Sequence, residues 1–364
     1  VKILPASLFA FTMLSCATPV LAAPEVVVSI KPIHSLVAGV MQGVGEPKLI
    51  VQGAASPHTY SMKPSNAQTL EKADIVFWVG INLETFLDKP LDALGKKAKV
   101  VSLADSPNVS LLPLRQGGTF ETHQHEAEDG DAHDHAGAHG HAEAHKDAGA
   151  HKHNHAHQHA EADGHKHGDH GHDHDAHNHD DHGDHDDHNH SRFDMHMWLD
   201  PHNAKAMVKE IEATLSASDS ANAAAYKKNA EALIARIDQM DTDIATKLAP
   251  VKDKPSVVFH DAYQYFERHY GLNVVGSITV SPETAPGAAR LSEIQAKLKT
   301  LNAGCVFAEP QFQPKLIEVV TAGTKAKSGT LDPEGATLKE GPDLYFQLMQ
   351  GLSSSMADCL TKAS

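Results

Sequence analysis

Histidine is distributed very unevenly in this 364-residue chain: 23 of its 29 histidines lie between His123 and His190. Within that tract the units His133-Asp134-His135, His153-Asn154-His155 and His177-Asn178-His179 alternate with carboxylates. Neutral imidazole nitrogen and carboxylate oxygen together suit divalent zinc, nickel or copper, so these six histidines read as accessory metal ligands. From Glu121 to Asp187 there are 18 Asp or Glu against Lys146, Lys152 and Lys166, which accounts for almost all of the formal charge of −16. The rest of the chain is close to neutral. No basic face is left to track phosphates, and nucleic-acid binding is excluded as an expectation.

A tract of this kind binds ions loosely, because each ion must order the chain around it. Tight binding needs ligands held in advance, which directs attention to the six histidines outside it. His58 lies in the polar loop Gly53-Ala54-Ala55-Ser56-Pro57-His58-Thr59-Tyr60, and His196 lies in Met195-His196-Met197-Trp198-Leu199-Asp200-Pro201. His260 stands at the carboxyl end of the apolar run Ser256 to Phe259. Ligands in open α/β sheets gather at the carboxyl ends of strands. Three histidines on separate segments supply three corners of a zinc tetrahedron. The other three read as bland: His34 as a capping or packing residue, His202 as a helix start beside Pro201, and His269 as a surface position facing away from His260.

The segments that must carry these residues alternate in type. Short β-branched runs (Val26 to Ile30, Lys48 to Val51, Ile75 to Val79, Val100 to Leu103) are separated by helical patterns, including Ile33 to Met41, Ala67 to Glu71 and Leu83 to Leu94. The alternation resumes with Ser256 to Phe259, Ala262 to His269, Val274 to Ile278, Leu291 to Leu301, Cys305 to Ala308, Leu316 to Ala322 and Asp343 to Leu360. Continuous apolar runs between amphipathic helices are what parallel strands buried on both faces look like, so two α/β halves are predicted. Between them, Asn203 to Leu215 and Ser220 to Leu248 are rich in Ala, Lys, Glu and Leu. In the second stretch Leu233, Ile234, Ile237, Met240, Ile244 and Leu248 make one apolar face, and Pro250 and Pro255 end it. A stiff connecting helix against both halves follows. The insert from about Glu121 to His190 has no aliphatic residue larger than alanine, so it cannot offset its chain entropy by burial and is expected to be disordered without metal.

Lys2, an apolar run from Ile3 to Leu21 broken by Pro5 and Pro19, and then Ala22-Ala23 read as an export signal cleaved near Ala22 or Ala23. A retained anchor would need about 20 uninterrupted apolar residues. Removing the signal removes Cys16 and leaves Cys305 and Cys359, an even pair in an oxidising compartment. The reading is a disulfide; the alternative, two thiolate ligands, lacks a Cys-x-x-Cys spacing.

Several stretches together carry a resemblance: Ser29-Ile30-Lys31-Pro32-Ile33-His34-Ser35-Leu36, Ser56 to Ser65, Ala73 to Gly80, His196 to Pro201, Phe259-His260-Asp261-Ala262-Tyr263 and Ala308-Glu309-Pro310-Gln311-Phe312. From about Pro24 to Lys362 the chain resembles the zinc-binding branch of the periplasmic metal-binding proteins that serve ABC importers. The resemblance implies two α/β lobes with parallel sheets, joined by a long rigid helix, with metal in the interlobe cleft and a His-rich loop inserted in the first lobe. It divides the chain into a signal (1–22), an N-terminal lobe (23–203, with the loop at 121–190), a connecting helical segment (204–250) and a C-terminal lobe (251–364). It assigns His58, His196 and His260 as ligands of transported Zn2+, with His260 in place of the carboxylate that manganese relatives carry. For the fourth corner it points to Asp332, in Gly329-Thr330-Leu331-Asp332-Pro333, or to water, in preference to Glu309, whose neighbour Pro310 suggests packing. The family's disulfide pattern falls on Cys305 and Cys359. The implied role is that of a monomeric periplasmic carrier that hands zinc to a membrane permease. Same-fold alternatives are a manganese or nickel carrier and an adhesin. A zinc hydrolase is the alternative from another class, but the chain has no His-Glu-x-x-His helix.

Overall fold

Three consecutive valines form the first strand, β1 (Val26–Val28), and none is more than 1% exposed. The computed structural model describes residues 23–115, 120, 193–279, 286–311 and 315–362. The expected export signal and His133, His135, His153, His155, His177 and His179 fall outside these residues.

β1 pairs in parallel with β2 (Lys48–Leu49) and β3 (Ile75–Trp78), and β3 with β4 (Lys99–Ser102), giving the order β2-β1-β3-β4. Helices α1 (Lys31–Val40), α2 (Pro64–Glu71) and α3 (Asp88–Leu94) are the crossovers. α1 and α2 each have proline in the first turn, where no backbone donor is missed. Helix α3 is shorter than the pattern from Leu83 suggests, because Thr85–Leu87 form a 3-10 turn first.

A two-stranded antiparallel ribbon follows, β5 (Leu112–Pro113) with β6 (Phe193–Asp194), and it brackets the His-rich tract in sequence. Next come α4 (Pro201–Ser218) and α5 (Ala223–Leu248). The 26 residues of α5 make a rod about 39 Å long at 1.5 Å per residue. Leu233, Ile237, Met240, Ile244 and Leu248 are buried along one stripe, as the spacing requires.

The second sheet contains β7 (Ser256–His260), β8 (Val274–Thr279), β9 (Cys305–Ala308) and β10 (Lys327–Thr330) in the order β10-β9-β7-β8, again all parallel. Its helices are α6 (Gln264–Tyr270), α7 (Ala288–Thr300) and α8 (Lys315–Thr321), and α9 (Leu344–Lys362) closes the chain. Gly271 ends α6 at φ 66°, the left-handed cap position that a side chain would strain. Along β7, Val257 and Phe259 enter a small core with Ile278, Ile294, Leu298 and Val320, whereas Val258 joins the large core that continues from the first sheet. Burial on both faces explains the unbroken apolar run.

Two features depart from the sequence reading. The fourth strand of the second sheet, β10, has the sequence Lys-Ser-Gly-Thr and no apolar signature. It is an edge strand, and Gly329 lies over the Phe307 ring so closely that a Cβ would stand 2.7 Å from it. The second is that α9 packs against α1, α5 and β10, so the lobes are joined by two helices and not by α5 alone. The disulfide links Cys305 at the start of β9 to Cys359 in α9, with Cα atoms 6.2 Å apart. It ties that second joining helix to the second sheet. Among the described residues no helix is long and apolar enough to cross a membrane.

Candidate metal centre

His260 is the last residue of β7, at the carboxyl end of the sheet, and only 3% of it is exposed. Its Nδ1 lies 2.7 and 2.8 Å from the two carboxylate oxygens of Glu309, which follows directly on the neighbouring strand β9. Tyr263 donates its hydroxyl to the same carboxylate at 3.0 Å. Burial opposes a charge on His260, yet the Glu309 carboxylate, together with Asp261 and Asp194, outweighs it and holds the ring's pKa above the ordinary histidine value.

His196 follows the β5–β6 ribbon by two residues. Asp194 fixes it twice: Oδ1 accepts from the His196 backbone N–H at 3.0 Å and stands 2.8 Å from its Nδ1. The chain then turns through the 3-10 segment Met197–Leu199, anchored by buried Trp198, whose indole N–H donates to the Pro333 carbonyl at 2.9 Å. The ribbon is itself pinned to the second lobe. Tyr265 of α6 donates to the Asp194 carbonyl at 2.6 Å and accepts from the Leu112 N–H at 2.8 Å. Arg115, just beyond β5, grips the buried carboxylates of Asp261 and Glu267. These contacts set the spacing of His196 and His260, which come from different lobes.

His58 sits in the loop after β2. Tyr60 and Asn66 hold that loop: the Tyr60 hydroxyl lies 3.1 Å from the Ile50 carbonyl and 2.8 Å from Asn66 Oδ1, and its ring packs edge-on against Phe86. The His58 backbone N–H donates to Ser56 Oγ at 3.3 Å. Burial, and then the two neighbouring imidazoles, hold the His58 pKa well below the ordinary value, so the ring is neutral and able to donate its lone pair.

The three rings converge. His196 Nε2 lies 3.3 Å from His58 Nε2 and 3.3 Å from His260 Nε2. Ligand atoms about 2.0–2.1 Å from a tetrahedral zinc stand about 3.3–3.4 Å apart, so the spacing fits a shared ion. The tautomers fit it as well. With Nδ1–H of His196 and His260 donated to carboxylates, both Nε2 atoms present lone pairs to the common point, an arrangement that a cation relieves. Among the described residues no Asp, Glu or Cys atom joins this triplet within 4.8 Å. Asp332 is not brought to it: its carboxylate accepts from the backbone N–H groups of Ala336 at 3.0 Å and Thr337 at 3.3 Å. Glu309, read from sequence as a packing residue, sits behind His260 and orients it. Its position at the end of β9, beside β7, follows the same strand-end rule that singled out His260. Asp194 was missed altogether, though it stands two residues before His196.

His34 is buried, with Nε2 2.9 Å from the Pro47 carbonyl, in the packing role expected. His202 and His269 differ from their bland reading: with Asp200 they form a second close group. His269 lies nine residues from His260 and faces instead the start of α4, where the His202 ring meets its own at 4.9 Å between centroids.

The family model described as "Zinc-uptake complex component A periplasmic" matches residues 26–359. The chain is 54% identical over 337 residues to the "High-affinity zinc uptake system protein ZnuA" of Brucella suis biovar 1, covering 93% of this chain and 92% of that one. It is 39% identical to the ZnuA of Paracoccus denitrificans over 338 residues, with 93% and 92% covered. Among solved structures, a ZnuA crystal structure superposes with a TM-score of 0.65 at 20% identity, covering 93% of this chain and 99% of that one. The laminin-binding adhesin Lmb of Streptococcus agalactiae gives 0.65 at 20% identity, with 93% and 100% covered, so the fold alone does not separate these roles. With the family model spanning nearly the whole chain and a relative at 54% identity, the chain belongs to the ZnuA family of periplasmic zinc-uptake components.

Proposed function

We propose that this protein captures Zn2+ in the periplasm through His58, His196 and His260 and delivers it to the membrane permease of an ABC importer. The observation that carries the reading is the convergence of three Nε2 atoms at 3.3 Å steps from three separate segments. An all-imidazole set favours zinc over the harder manganese ion. Two carboxylates, Asp194 and Glu309, stand one ring behind the ligands and compensate the charge of the dication without binding it. Solvent takes the fourth corner, where a partner can reach the ion for release.

The carrier reading is preferred to a hydrolase on geometry. Glu309 engages the Nδ1 side of His260, away from the point where Nε2 atoms meet, so it orients a ligand and is not poised as a general base. The accessory histidines His133, His135, His153, His155, His177 and His179 serve as a low-affinity collector in this scheme.

Zinc titration against a strong chelator tests the assignment. His58→Ala, His196→Ala and His260→Ala should each weaken the tightest site sharply, while deletion of 121–190 should lower the number of ions bound and leave that site nearly unchanged. Unchanged affinity in all three alanine variants would refute the ligand set. Loss of the tight site on deletion would mean that the tract supplies a primary ligand.

A further inference from the structure

We propose that Asp200, His202 and His269 form a second divalent-cation site, of the zinc-binding class, where the start of α4 meets α6. It uses none of the cleft residues. Asp200 Oδ1 lies 3.3 Å from His269 Nδ1 and 3.7 Å from His202 Nδ1, and one ligand atom from each residue falls within 4.8 Å of the others. The two rings meet edge-on at 4.9 Å between centroids. These separations bracket the edge of a zinc tetrahedron, about 3.3–3.4 Å for bonds of about 2.0–2.1 Å.

The group is built in the same way as the cleft. Asp241 of α5 stands 2.8 Å from His269 Nε2, on the outer side of the ring, as Glu309 stands behind His260. A single N–H donated to Asp241 leaves the His269 Nδ1 lone pair facing the Asp200 carboxylate, and a cation between them reconciles the two. A proton on Nδ1 would also do so, but only a metal ion would in addition engage the His202 ring, which the α4 N-cap already holds beside the same oxygen. Charge is compatible with this: with both rings acting as neutral ligands, the two carboxylates carry −2, which one divalent ion balances.

Asp200 is held in advance. As the N-cap of α4 it accepts from the His202 backbone N–H at 2.7 Å. His269 is fixed by Asp241, with its side chain 13% exposed. His202 is 68% exposed, so it must be immobilised when the ion arrives, and it leaves the remaining coordination positions open to water. The site should therefore bind at least about 100-fold more weakly than the cleft and exchange faster.

The test uses the full chain, with zinc alone as the probe and zinc raised stepwise to saturation. Anomalous scattering across the zinc edge should place one ion in the cleft first, and a later one between Asp200, His202 and His269. In solution, the ring nitrogen signals of 15N-labelled His202 and His269, identified by their loss in His202→Ala and His269→Ala, should shift at the same later step. His202→Ala removes an exposed ring and so spares the fold; it should weaken this site at least about 10-fold and leave the cleft unchanged. Asp241→Asn should weaken it about 10- to 100-fold while keeping every ligand. The proposal is overturned if the cleft fills and neither density nor ring shifts develop here at saturation. It is equally overturned if the ion is seen in crystals but the solution signals do not move, or if His202→Ala binds as well as the parent protein.

Discussion

Replacing Glu309 by glutamine probes the link between cleft geometry and affinity with little change in volume. The carboxylate is 3% exposed, receives His260 Nδ1 at 2.7 and 2.8 Å, and accepts from Tyr263 at 3.0 Å. Glutamine keeps one acceptor but loses the charge that makes Nε2 basic and that faces the bound dication from behind. Loss of such an orienting carboxylate costs about 10- to 100-fold in metal affinity, or about 1.4–2.7 kcal/mol. Alanine is the poorer choice, because the Nδ1–H and the Tyr263 hydroxyl would both be buried without an acceptor, at about 1–3 kcal/mol each. The assay is chelator competition for the tightest zinc site at pH 8 and pH 6. Glu309 raises the pKa of His260 against the effect of burial, so it strengthens proton binding along with zinc binding. The parent protein should then lose its advantage over Glu309→Gln as pH falls and protons compete for its more basic ring. A variant within about twofold of the parent at pH 8, or a loss of equal size at both pH values, would refute the electrostatic role.

Two further outcomes concern stability. The Cys305–Cys359 bridge spans 54 residues, so the double alanine variant should lose about 4 kcal/mol on the chain-entropy account, read by denaturant unfolding; a loss under about 1 kcal/mol would contradict that account. Glu84 is fully buried, accepts from the Val79 and Gly80 N–H groups at 3.2 and 2.9 Å, and has its pKa pushed by burial to about 7 from 4.5. Between these values the folded chain keeps a proton that the unfolded chain has released, so this group's stabilisation is full below about pH 4.5 and is lost as pH rises through about 7. The swing is about 3 kcal/mol. Glu84→Gln should flatten the decline in stability between pH 5 and pH 8, and parallel profiles for parent and variant would count against it.

What was legible in the sequence was what local periodicity and composition encode. The unbroken run Ser256 to Phe259 signalled a strand buried on both faces, and the three- and four-residue spacing of Leu233, Ile237, Met240, Ile244 and Leu248 signalled the long helix. Both follow from repeat geometry that each segment carries within itself. His58, His196 and His260 stood out because they are the strand-end and loop histidines of an otherwise bland set. Strand β10 was not legible, because an edge strand with a glycine under Phe307 needs no apolar alternation. Nor were the partners of these three histidines. Glu309 reaches His260 across 49 residues, Arg115 reaches Asp261 across 146, and His269 meets Asp200 only because α6 packs beside the start of α4. The sequence by itself determined the α/β class, the stiff helix and the three imidazoles, since a period reports which face of an element is buried. Strand order and helix packing decided which carboxylate stands behind which ring, because a polar side chain's partner is set by whatever the fold brings within about 3 Å, and spacing along the chain carries no mark of it.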